Sequence, residues 1–243
     1  MSGQHKVADA KEGAGLGGIG SAHGDVVADA PGAVKIRIRT SPLTTNDPLL
    51  YLAAMRLTLI QPRELFGPPE RQSELTHCAI INNRVFGDDV ITPTGRPTFN
   101  DLFDLCDPDA INVIANSDIY FTELPPHPVC GEAWALSRWD VDAEGRVKLW
   151  DHADSQDVWI FHGKPTGIDA PFPMGVPGCD NSLAWLIEEA GYNLRNPSKS
   201  VCAYHLHNVQ WRSYLAEPGG MARGGQKQRR IPPPYKLMKP TAL

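Results

Sequence analysis

The chain has 243 residues, 42% hydrophobic and 21% charged, with a formal net charge of −5. That length holds one large core or two small ones, and the composition is ordinary for a soluble globular protein. The acidic balance excludes a broad nucleic-acid-binding face, so no nucleic-acid partner is expected, but a local basic pocket for a phosphorylated ligand remains open. Five dispersed cysteines, Cys78, Cys106, Cys130, Cys179 and Cys202, form no Cys-x-x-Cys pair. Such a set suits reduced thiols better than a disulfide framework. No apolar run reaches the roughly 20 residues of a membrane helix, and the N-terminus lacks a secretory h-region. The expectation is a cytoplasmic protein with no transmembrane segment.

Residues 1–33, rich in Gly, Ala and Asp, read as a flexible leader. Within them Gly13–Gly18 fits G-x-G-x-x-G by letter, but the strand before it and the helix after it that a dinucleotide site needs are not evident. Val34–Arg39 alternates with period two, the mark of a strand with one buried face, and Thr40 and Ser41 follow at its end. Leu49–Ile60 is apolar and is read as a helix. Gln61–Pro69 is a Pro-rich connection. Leu75, Cys78 and Ala79 give Arg71–Asn82 a helical spacing, and Val90–Thr92 is a short strand. Thr98 with Asp101 makes a capping-box variant opening a helix over Thr98–Cys106. Ile111–Ala115 is a short β-branched run, as in a strand buried in a mostly parallel sheet. Ala133–Leu136, Val147–Trp150 and Val158–Phe161 suit shorter, antiparallel strands. A Gly/Pro loop then delivers Asp180 to a helix start. Leu183, Leu186, Ile187 and Ala190 form that helix's stripe, and Gly191 stops it. Asn193–Arg195 and Val201–His207 complete the core, and the tail from Glu217 reads as an extended arm.

Three places could carry chemistry. Asn116, Ser117 and Asp118 interrupt the apolar run where the strand ends, and ligands of open α/β sheets sit outside such ends. A carboxylate there can hold a divalent cation against a phosphate, or simply cap a turn. His205 and His207 share one face if Val201–His207 is a strand, either as ligands to a transition ion or as hydrogen-bonding groups of a half-buried strand. Asp180 is a general base or a plain helix cap. Asp157 is a further loop carboxylate, beside Trp159, whose ring is core packing or a sugar platform. The sequence has no P-loop, no Gly-x-Ser-x-Gly elbow, no His-Glu-x-x-His and no Cys-based zinc site.

In order, Arg71…Glu74, Arg96-Pro-Thr-Phe-Asn-Asp-Leu-Phe, Asn116-Ser-Asp-Ile-Tyr-Phe, Ser155-Gln-Asp-Val-Trp-Ile-Phe, Gly178-Cys-Asp-Asn, Asn196-Pro-Ser and His205-x-His207 resemble glycosyltransferases of the GT-A fold. The resemblance is to bacterial, viral and plant nucleotide-sugar transferase-like proteins, and it spans about residues 34–215, leaving 216–243 as the arm. It implies a single-domain α/β fold, GT-A-like and Rossmann-like, with a mixed, mainly parallel sheet flanked by helices. It also implies an inverting, metal-dependent transfer of sugar from a nucleotide-sugar donor to a glycan or glycoconjugate hydroxyl. Asn116-Ser117-Asp118 resembles the Asp-x-Asp motif, with Asn in place of the first acid, so Asp118 would hold Mn²⁺ or Mg²⁺ with His205 or His207. Donor contacts would come from Thr40, Arg71, Arg96, Asn116, Ser117 and the loop containing Gly175. Asp180, in an x-Glu-Asp-like motif with Cys179 at the middle position, would act as base, with Asp157 as a second catalytic carboxylate. A metal-dependent nucleotide-sugar hydrolase or phosphoesterase, and a sugar-binding protein without turnover, are the competing expectations.

Overall fold

The computed structural model describes strands Val26–Ala28 and Val34–Ile36 and residues 55–65, 67–209, 211 and 230–243. The chain divides into two units, Met1–Ala53 and Ala54–Leu243. In the first, β1 (Val26–Ala28) pairs antiparallel with β2 (Val34–Ile36), Val27 opposite Lys35. The alternating run from Val34 is thus a strand, and its partner falls inside the expected leader. Thr40, the Gly13–Gly18 motif, the first part of Leu49–Ile60 and residues 216–229 of the arm lie outside the described residues.

The second unit is mixed α/β with two mixed sheets. Its elements are β3 (Leu57–Ile60), α1 (Pro69–Phe86), β4 (Val90–Ile91), α2 (Phe99–Asp104), β5 (Ile111–Ala115), β6 (Ile119–Tyr120) and β7 (Glu132–Leu136). After them come β8 (Trp139–Val141), β9 (Val147–Leu149), β10 (Val158–His162), α3 (Cys179–Glu189), β11 (Asn193–Arg195) and β12 (Tyr204–Leu206). The larger sheet has the order β11-β7-β10-β5-β3-β4. Its β3/β4, β3/β5 and β7/β11 pairings are parallel, while β10 runs antiparallel to both β5 and β7. The smaller sheet, β6-β12-β8-β9, pairs β12 parallel with β8 and antiparallel with β6.

All five residues of β5 are buried, which is why the run reads as continuously apolar. Its one polar member, Asn112, donates to the carbonyls of Asp107, Ala110 and Gly163, so its burial leaves the amide satisfied. The helix expected over Leu49–Ile60 is corrected: Leu57–Ile60 is a strand, paired residue for residue with Ile111–Ile114. A short apolar run buried on both faces carries no period that separates strand from helix. Helix α1 begins with Pro69 in its first turn and runs four residues past Asn82. Asn82 does not stop it because its amide turns inward, donating to Gln61 Oε1 and the Ile119 carbonyl and accepting from Phe121 N–H. Thr98 opens α2 as expected: its hydroxyl accepts from Asp101 N–H, and the Asp101 carboxylate accepts from Thr98 N–H at 2.9 Å.

Strand β10 divides the core. Trp159 and Phe161 point to the side covered by α2 and α3, while Val158 and Ile160 point to the side holding Leu59, Phe86 and Phe121. Trp159, 1% exposed, meets Phe99 edge-on at 5.0 Å, so its ring is core packing rather than a sugar platform. The arm also needs correction for residues 230–243, which pack back onto the unit. Met238 is buried among α3 residues, its N–H donates to Ala153 O, and Lys236 N–H donates to Asn181 O. Among the described residues no helix is long and apolar enough to cross a membrane.

Candidate functional site

The carboxyl ends of β3, β5 and β7 and the amino end of β10 meet at one edge of the larger sheet. There Asn116 N–H donates to Asp157 O, and Asp157 N–H donates to Leu136 O. The turn leaving β5 is fixed from beneath: Gln61 Nε2 donates to the carbonyls of Asn116 (2.8 Å) and Ile119 (2.7 Å). β12 is held to the same turn by Leu206 N–H donating to Asp118 O. Outside this edge lies a cleft of about 380 Å³. Asn116, Ser117, Asp118 and Asp157 line it, as do Arg71, Arg96 and Gly175, and His205 and His207 close one side. Arg96 reaches Gly175 O and Glu64 Oε1, both at 3.4 Å, tying two lining loops together.

One oxygen, Asp118 Oδ2, is the hub. Arg71 Nη2 donates to it at 2.5 Å, His205 Nε2 lies at 3.2 Å and His207 Nδ1 at 3.4 Å. Arg71, 2% exposed, also donates to Glu74 and to the Leu206 carbonyl. The outer nitrogens assign the tautomers. His205 Nδ1 is 2.7 Å from Asp140 Oδ1, and His207 Nε2 is 2.7 Å from the Trp211 carbonyl. Both oxygens can only accept, so both outer nitrogens carry hydrogen. In neutral imidazoles the inner nitrogens then turn bare lone pairs toward a carboxylate, an arrangement that repels unless a cation lies between. The ligand atoms of Asp118, His205 and His207 all lie within 4.8 Å of one another, close enough to share one ion. Two imidazoles and a carboxylate suit Mn²⁺ and other first-row ions and leave coordination positions for a phosphate or water. Without an ion, a proton takes that place. His205 is shifted up to about 9: its burial opposes the charge, but the Asp118 charge and its bonds to Asp118 and Asp140 prevail. Asp118 lies well below the usual carboxylate range: burial would raise it, but His205, His207 and Arg71 outweigh that effect.

A second acidic pair lies alongside. Asp157 Oδ1 accepts from Asn116 Nδ2 at 2.7 Å, and Oδ2 accepts from Arg138 Nη1 at 3.1 Å. Asp180 is not among the residues lining the cleft; it sits behind the 153–157 loop, accepting from Gln156 N–H at 3.3 Å. Nor does it cap α3. The N-cap is Gly178 at φ 83°, and a Cβ there would stand 2.8 Å from Ile231 O, so only glycine fits beneath the docked segment. Burial, and then the Asp157 charge, push Asp180 up to about 7.

Sequence reasoning did not single out Arg138, Asp140, Ser155 or Trp150. Arg138 donates from Nε to Asp140 and from Nη1 to Ser155 and Asp157, and its guanidinium covers the Trp150 ring at 4.9 Å. The available signal was the alternation Arg138-Trp139-Asp140, which sets both charges on one face of a short strand. Comparison with family models, curated proteins and solved structures found no match for the chain.

Proposed function

We propose that this chain is a metal-dependent glycosyltransferase on a GT-A-like, Rossmann-like fold, acting in the cytoplasm. It would carry a sugar from a nucleotide-sugar donor to a hydroxyl of a glycan or glycoconjugate. One observation carries the reading: Asp118 after β5 and two histidines from the far end of the chain turn their ligand atoms toward one point at the sheet's carboxyl edge. In this reading those three residues hold Mn²⁺ or Mg²⁺. Bound there, the cation supplies positive charge to the departing diphosphate without proton transfer. Arg71 keeps Asp118 ionised and oriented, and Arg96 and Gly175 border the donor. Asp157, the carboxylate lining the cleft beside the cluster, takes the acceptor's proton in a single displacement that inverts the anomeric carbon. Asp180, behind it, does not line the cleft.

A panel of nucleotide sugars, each with and without Mn²⁺, should contain one that raises the melting temperature only with the ion. That donor should then support acceptor-dependent transfer. Release of free sugar at one rate, with or without acceptor, would instead identify a nucleotide-sugar hydrolase. A second reading, sugar binding without turnover, draws support from the occupied oxygens of Asp157 and the recessed Asp180. Donor binding with no product under any acceptor would select it.

A further inference from the structure

β8 and β12 run parallel with Asp140 and His205 as direct Cα partners. Neighbouring side chains in register project to the same face of a sheet, so the carboxylate of one meets the ring of the other. Asp140 is itself fastened: Arg138 Nε donates to Oδ1, the oxygen facing His205 Nδ1, at 2.9 Å. The second arm of Arg138 ends on Asp157, and Asp157 in turn binds Asn116. The groups therefore form a continuous chain beside the cleft: Asn116, Asp157, Arg138, Asp140, His205 and Asp118.

We infer that Asp140 is the positioning residue of the cation site: it holds the hydrogen of His205 on Nδ1 and turns the bare Nε2 toward Asp118. The inference rests on the metal-dependent reading above and adds a residue that touches neither the ion nor a substrate. Without Asp140, His205 could place its hydrogen on Nε2, facing Asp118 Oδ2 at 3.2 Å. That tautomer satisfies the carboxylate with a hydrogen bond and offers no nitrogen to a metal. His207 does not share this dependence, because the backbone carbonyl of Trp211 fixes its tautomer. Carboxylates behind metal-binding histidines generally act this way, and their loss weakens metal affinity about 10–100-fold. The Asp140 side chain is 39% exposed, so its replacement leaves no buried hole.

The test compares the full-length wild-type chain with Asp140→Ala and Asp140→Glu. Mn²⁺ affinity is measured by calorimetry, and ¹⁵N-histidine NMR reads the His205 tautomer without metal, at a pH where the ring is neutral. Expected are an Nδ1–H tautomer in the wild type, an Nε2–H tautomer in Asp140→Ala with affinity weakened about 10–100-fold, and partial recovery of both in Asp140→Glu. Asp140→Ala binding Mn²⁺ within twofold of wild type, or keeping the Nδ1–H tautomer, would overturn the inference. Failure of the wild type to bind Mn²⁺ would remove the metal reading itself and this role with it. Tight Mn²⁺ binding without sugar transfer would sink the transferase reading alone.

Discussion

Asp118 and Asp180 are the same residue type, both mostly withdrawn from water, near one sheet edge, and their acidities move in opposite directions. Burial disfavours charge at both. Around Asp118 a guanidinium and two imidazoles overcome it, and the carboxyl falls well below its usual value. Around Asp180 there are backbone amides and the neighbouring Asp157, and the carboxyl rises to about 7. Burial alone therefore does not assign a role to an acid; the sign of the charges facing it does. One pocket favours an anion, and the other discourages one.

The largest effect expected from that contrast is in Asp118→Ala. It leaves buried Arg71 with Glu74 as its one remaining carboxylate, a loss of at most about 3–5 kcal/mol, and the melting temperature should drop by up to about 10 °C. Mn²⁺ binding should vanish from the calorimetric trace. A variant that melts like wild type would mean the ion pair contributes little. Asp180→Asn should act in the opposite direction. An acid with a raised folded pKa binds extra protons in the native state, so stability is greatest below the unfolded value of 3.8 and falls as pH climbs to about 7. Replacement by Asn removes that decline, a gain of at most about 4 kcal/mol at pH 8 that shrinks to nothing near pH 3. Equal urea midpoints for the two proteins at pH 8 would contradict the raised value.

His205 gives the mirror case. Its raised pKa contributes stability that is whole below 6.5 and is lost as pH rises through about 9. The loss should amount to about 3 kcal/mol in metal-free protein. Saturating Mn²⁺ should flatten it, because the ion replaces the proton, and near pH 7.5 binding should release about one proton to the buffer. Identical pH profiles with and without metal would break the comparison. Thr98→Ala, at the capping box of α2, serves as the control. It should cost about 1 kcal/mol at every pH above the Asp101 titration and leave Mn²⁺ affinity unchanged.

Much of this was legible where one local rule governs a segment. Ile111–Ala115 announces itself because every residue is buried, Thr98 because its cap is made within four residues, and α3 because one face is apolar and Gly191 follows. The two histidines could be placed together from their spacing alone, although β12 ends at Leu206 and His207 lies one step beyond it. What escaped was set by partners remote in sequence. Leu57–Ile60 is a strand because Ile111–Ile114 and Val90–Ile91 flank it. Arg138 and Asp140 matter because Asp157 and His205 meet them across two sheets. Asp180 stands at a helix start, as a held base would, yet the 153–157 loop stands between it and the cleft, and no short-range pattern records that loop's path.

The docking of Met238 has a consequence for how the molecule is made. Its backbone clasps Ala153 and Asn196, and its side chain fills a gap against α3, so these early-synthesised parts wait for a late residue before they can close. A ribosome stalled before that point would display a nascent protein with its sheet paired but the wall beside Asp157 unfastened. Chaperone engagement should therefore persist until residue 238 has emerged from the ribosome and docked.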